Sequence, residues 1–190
     1  MLKISKISLA ALIVFCSSAA IAEYQGDISA QEAFERTSME TNVYILDVRT
    51  GQEWRWVGHP GPNGLADSKG IGLSYNSGAG LEEKVVNIAY KVDNGLGVLT
   101  DNLAFSTDVG EKFTIDDVLL ILCRTGGRAL SAAQELGALN YTTYRIVHGF
   151  QGDANDETKP GPNTLYRDVN GWVNSNLPYN DNPSGAYYPK

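Results

Sequence analysis

The aliphatic run Val118-Leu119-Leu120-Ile121-Leu122 leads directly into Cys123-Arg124-Thr125-Gly126-Gly127-Arg128, and no other feature constrains the fold of the chain so strongly. An unbroken apolar run of strand length has no polar face to offer water, so it fits a strand buried on both faces of a parallel sheet. Parallel neighbours need crossover connections, which helices usually supply. From Ala129 to Leu139 apolar residues return at helical spacing, with Leu130, Ala133 and Leu136 on one face and Gly137 placed to help close the helix. Strand, tight loop and helix in succession form the basic unit of an α/β fold.

The rest of the chain extends this pattern. Ser29-Ala30-Gln31-Glu32 has the spacing of a capping box and predicts a helix from about Ala30 to Arg36. Val43 to Val48 and Val85 to Tyr90 read as strands, Asn102 to Val109 as a helix, and Tyr144 to His148 as a further short strand. Residues 61–80 are rich in Gly, Asn and Ser and predict an irregular loop, not a separate domain. After Trp172, Leu177-Pro178-Tyr179 leads into a Pro/Asn/Gly tail expected to be loose. The expected architecture is one α/β domain with about five mostly parallel strands and helices on both faces.

The N-terminus follows a different logic. Lys3 and Lys6 precede an apolar run from Ile7 to Phe15, and small residues end at Ala20-Ile21-Ala22. These are the parts of a cleavable secretory leader, and the run is shorter than the roughly 20 residues of a bilayer-spanning helix. The expected division is a leader over 1–22, a folded domain over 23–180 and a loose tail over 181–190. The expected location is periplasmic or secreted, with no membrane association after cleavage. Phe15 stands before Cys16 where a lipoprotein site wants a small residue. Cys16 therefore leaves with the leader, and Cys123 has no disulfide partner. The full chain carries a formal charge of −7, and cleavage removes two lysines and no acid. Such a balance argues against a nucleic-acid partner.

Cys123 is the candidate nucleophile. It falls where a strand's C-terminal end meets a helix N-terminus, the edge at which open α/β sheets hold ligands. Free backbone N–H groups there favour negative charge, Gly126 and Gly127 allow several to converge, and Arg124 and Arg128 add full positive charges. All three influences favour a thiolate at Cys123. His59 and His148 lack ligand spacing and suggest no metal site, and no cofactor is expected. Asp153 to Glu157 resembles half a calcium loop, but Thr158 stands where that loop needs Gly, so a solvated acidic loop is expected. Of Trp54 and Trp56, at least one is expected to pack against the core.

These motifs resemble those of a single-domain rhodanese, a thiosulfate-type sulfurtransferase of the exported kind. The matching segments are Leu46-Asp47-Val48-Arg49, with Glu53 and Gly58-His59 after it, and Leu122-Cys123-Arg124-Thr125-Gly126-Gly127-Arg128. Tyr144 to Gly152 is similar to that family's closing strand and turn, and Asn170-Gly171-Trp172 with Leu177-Pro178 to its C-terminal end. The likeness covers most of residues 25–180.

The resemblance implies a rhodanese-like sandwich around a five-stranded parallel sheet. It also implies that the Cys123 thiolate takes a sulfane sulfur from a small anionic donor such as thiosulfate or polysulfide, and passes it to a thiol, cyanide or protein acceptor. Arg124 and Arg128 would then bind the donor, backbone N–H groups from Arg124 through Thr125, Gly126, Gly127 and Arg128 would hold the persulfide, and Asp47, Arg49 and Glu53 would brace the loop edge. Phosphatase and arsenate-reductase relatives place five residues between cysteine and arginine. The residues between Cys123 and Arg128 number four, which favours sulfur. The family's G-H-I-P-G-A stretch reads Gly58-His59-Pro60-Gly61-Pro62-Asn63 here, a departure at the pocket rim that leaves the acceptor open. The alternative on the same fold is a non-catalytic sulfur carrier or partner-binding module.

Overall fold

The computed structural model describes residues 23–61, 81, 84–154 and 167–180. The expected leader over 1–22, the expected loop residues 62–80, the acidic stretch from Asn155 and the expected tail over 181–190 lie outside the described residues. Ten elements build the domain: β1 (Tyr24–Ile28), α1 (Ala30–Met39), β2 (Val43–Asp47), α2 (Gly51–Val57), β3 (Val85–Asn87), α3 (Phe105–Lys112), β4 (Val118–Leu122), α4 (Gly127–Ala138), β5 (Thr142–Ile146) and α5 (Gly171–Asn174). The sheet order is β1-β5-β4-β2-β3, and each neighbouring pair is parallel. Ile45 lies opposite Leu120 and Asp47 opposite Leu122, so β2 and β4 run side by side to the same edge. Three short antiparallel ribbons decorate this sheet: Lys91–Asp93 with Leu99–Asp101, His59–Pro60 with Tyr179–Asn180, and Asp153–Ala154 with Arg167–Val169.

The alternation of strand side chains creates two cores. Leu46, Leu119 and Ile121 point to one face, against Phe105 and Val109 of α3 and Ala129, Ala132, Ala133 and Leu136 of α4. Val43, Ile45, Leu120 and Leu122 point to the other, against Ala30 and Ala33 of α1 and Trp172 of α5. The uninterrupted apolar run of β4 thus covers both faces of a central strand, as its sequence requires. Small alanines on the inner faces of α1 and α4 let those helices lie close to the sheet.

Several boundaries differ from those read off the sequence. Asn102 sits before α3, accepting from the Ala104 amide at 3.1 Å and donating to the Ala89 carbonyl at 2.8 Å. Its side chain forms a turn, and the helix starts at Phe105. β3 is bounded at Asn87, although Ile88 and Tyr90 still donate their amides to the Asp47 and Val48 carbonyls, both at 3.1 Å. β5 begins at Thr142 and ends at Ile146, which leaves His148 in the following turn. On α4, Ala129 and Ala132 are fully buried whereas Leu130 is half-buried. Gly137 does not close α4: it is inside the helix, and a Cβ there would stand 2.5 Å from the Tyr24 amide nitrogen. Its missing side chain makes room for β1, and the left-handed residue after the helix is Asn140 at φ +70.

Candidate active site

Cys123 follows β4 directly and is 1% exposed. The amide of Gly126 lies 3.1 Å from its sulfur, a donor aimed at any negative charge held there. Gly126 makes this possible by taking a left-handed conformation (φ +100) at the N-cap of α4. The helix begins at the next residue, so its unpaired N–H groups open beside the thiol.

A second turn clamps the loop from the side. Phe150 donates its amide to the Cys123 carbonyl at 2.7 Å, and Gln151 donates to the Arg124 carbonyl at 3.0 Å. Gly149 allows this approach: it has φ +60, and a Cβ on it would sit 2.6 Å from the carbonyl carbon of Arg124 and closer still to the Cys123 oxygen. Neither Gly149 nor Gln151 is distinguished by the loop sequence, since each comes from the far end of β5. The resemblance of Tyr144–Gly152 to a closing turn was the available signal.

Each loop arginine has a partner within the protein. Arg128 makes a bidentate ion pair with Glu53 of α2, both distances 2.7 Å. Glu53 is held from the other side as well: its carboxylate accepts from the Thr50 amide at 3.0 Å, and the Thr50 hydroxyl accepts from the Glu53 amide at 3.1 Å, a complete capping box. Burial pushes the Glu53 carboxyl up, but the hydrogen bonds and charge of Arg128, the Thr50 amide and the charge of Arg49 outweigh it and hold the group below its ordinary value. Burial likewise disfavours the Arg128 cation, and Glu53 again outweighs it. Arg124, half-buried, donates from Nε to the Gln151 side-chain oxygen at 2.6 Å, a neutral partner. Thr125 is half-buried, and Gly127 is exposed at the helix start.

Asp47 and Arg49 form the floor beneath the loop edge. Both are fully buried, with Arg49 Nε 2.9 Å and 3.0 Å from the two Asp47 oxygens and Nη2 2.5 Å from Oδ2. Nη2 of Arg49 also donates to the Gly58 carbonyl at 2.8 Å, and its guanidinium lies 4.1 Å from the Phe150 ring centre. Asn87 donates to the carbonyls of both Asp47 and Arg49. Three strands and the clamping turn therefore meet at one rigid point beside Cys123.

The aromatic and histidine candidates separate clearly. Trp54 is buried and stacks on buried His59 at 3.9 Å with the rings nearly parallel, whereas Trp56 is 66% exposed. Burial lowers the His59 imidazole from its ordinary value; the Pro60 carbonyl and Asp47 pull upward and Arg49 pulls down. His148, at φ +62, pairs through Nδ1 with Asp153 at 2.5 Å. Among the described residues no group of His, Cys, Asp and Glu gathers to hold a metal, and no helix is long and apolar enough to cross a membrane.

No family model matches the chain. Uncharacterized proteins of Rickettsia prowazekii and Rickettsia conorii are each 27% identical over 154 residues, 80% of this chain and 95% of theirs. The crystal structure of Rv0390 from M. tuberculosis superposes with a TM-score of 0.62 at 27% identity, over 84% of this chain and 99% of that one. A rhodanese-like domain protein from Staphylococcus aureus aligns with a TM-score of 0.42 at 16% identity, over 65% of this chain and 86% of that one.

Proposed function

We propose that the chain is an exported, rhodanese-like sulfurtransferase that carries a sulfane sulfur from thiosulfate, polysulfide or a related donor on Cys123 to a thiophilic acceptor. The observation that carries this reading is the Cys123 sulfur under the Gly126 amide, at the sheet edge where α4 begins and Arg124 adds its charge. The Cys123 thiolate attacks the outer sulfur of the donor; a new S–S bond forms as the donor's own S–S bond breaks, and the leaving group departs with the electron pair. The terminal sulfur of the resulting persulfide then lies in the cradle of N–H groups at the start of α4. A thiol, cyanide or protein acceptor attacks that sulfur and returns Cys123 as a thiolate. No metal or cofactor is needed in either step.

Export rests on the leader-like residues 1–22, and the N-terminus of the protein recovered outside the cytoplasm should be Glu23. The 1% exposure of Cys123 favours a second version, a carrier that holds the sulfur until a partner arrives. Cyanolysis separates the two. Thiocyanate release from thiosulfate or polysulfide, lost in Cys123→Ser, supports turnover. A persistent adduct of about 32 Da without thiocyanate supports the carrier. No cysteine-dependent reaction with any sulfane donor refutes both.

A further inference from the structure

Resting on the sulfurtransferase reading, we infer that Glu53 sets donor choice by neutralising Arg128, so that the site prefers an organic hydropersulfide to the dianion thiosulfate. Arg49 is matched to Asp47, Arg128 to Glu53 and Arg145 to Asp27, while Arg124 is held by the neutral amide of Gln151. Arg128 stands in the first turn of α4, directly after the Gly126 N-cap whose amide faces the sulfur.

The carboxylate on Arg128 is no loose surface contact. Its two oxygens meet two guanidinium nitrogens at 2.7 Å each, and the capping box fixes it from behind through Thr50. For Arg128 to turn toward a bound anion, this bidentate pair would have to break inside a half-buried site. The Gln151 hydrogen bond on Arg124 is a neutral one and is given up more easily. Among the described residues, the cradle therefore offers one guanidinium held by a neutral partner, Arg124, plus the helix N-terminus.

Charge balance then separates donors. With thiosulfate, the thiolate and donor bring three negative charges together, and sulfite leaves carrying two: Cys–S⁻ attacks the outer sulfur, the S–S bond breaks, and the persulfide and sulfite share the same total. With a hydropersulfide, thiolate and R–S–SH bring one negative charge, and R–S⁻ leaves with the electron pair while the proton stays on the transferred sulfur. Thiol plus persulfide anion carries the same total. One guanidinium without a carboxylate partner balances the second pairing and not the first.

The test is kcat/KM for thiosulfate and for cysteine hydropersulfide, measured on the same preparation. Their ratio does not depend on the folded fraction, so a poorly folding variant still reports. The wild type should favour the hydropersulfide by about tenfold or more. Glu53→Gln, which keeps a hydrogen-bonding side chain but frees the Arg128 charge, should shift the ratio toward thiosulfate by about tenfold and make the thiosulfate rate fall more steeply with salt. Arg124→Gln should shift the ratio the opposite way. A wild type that prefers thiosulfate, or a Glu53→Gln ratio within about twofold of it, overturns the inference. If neither donor reacts at Cys123, the sulfurtransferase reading itself fails and takes this inference with it.

Discussion

Gly149→Ala is the most informative small change available in this fold. The added methyl would stand 2.6 Å from the Arg124 carbonyl carbon and 2.7 Å from its oxygen, against backbone that cannot swing aside as a side chain would. Alanine at φ +60 costs about 1 kcal/mol through its left-handed conformation. Separating the two turns costs about 1–3 kcal/mol more, a range that includes weakening the hydrogen bonds from Phe150 to Cys123 and from Gln151 to Arg124. The expected loss is about 2–4 kcal/mol of unfolding free energy. Urea denaturation followed by the fluorescence of buried Trp54 and Trp172 measures it. Gly51→Ala is the matched control, because Gly51 opens α2 and a Cβ there meets nothing within 4 Å; it should be neutral or slightly stabilising. A Gly149→Ala protein within about 0.5 kcal/mol of wild type would refute the claim that this turn is clamped onto the cysteine loop.

Other consequences follow from the buried charges. Asp47→Ala should cost about 3–5 kcal/mol by leaving Arg49 buried without its carboxylate, and the double variant Asp47→Ala/Arg49→Met should recover part of that loss in the same urea assay. His59 is depressed in the folded protein, so below the ordinary imidazole value of 6.5 the unfolded chain binds a proton that the folded chain resists. Stability should therefore fall as pH drops below about 6.5 toward the folded value, and His59→Phe should flatten that slope. Glu53 acts lower on the scale: its depressed carboxyl contributes stability above the ordinary value of 4.5, lost as acid protonates it through the folded value. Glu53→Gln should remove this acid-dependent part of the unfolding curve.

What was legible in the sequence is what short-range physics encodes. The run from Val118 to Leu122 names a central strand by itself, and the structure bounds β4 at those same residues. The Cys123–Arg128 loop announces a strand-to-helix junction through its two glycines, and α4 begins at Gly127. What was not legible depends on chain segments far apart in sequence. That Arg128 would be matched by Glu53, 75 residues earlier, cannot be read from either segment alone. Gln151 as the partner of Arg124 is hidden for the same reason. Gly137 looked like a helix stop because glycine often is one, but its space is taken by the backbone of β1, which only the closed sheet brings there.

Intact-mass analysis of the purified protein after exposure to a sulfane donor, with peptide mapping, tests the central claim most directly. The account predicts a gain of about 32 Da located on Cys123, removed by cyanide or a thiol and absent from Cys123→Ser. An unmodified Cys123 after exposure to thiosulfate, polysulfide and hydropersulfide alike, in protein shown to be folded, would contradict it.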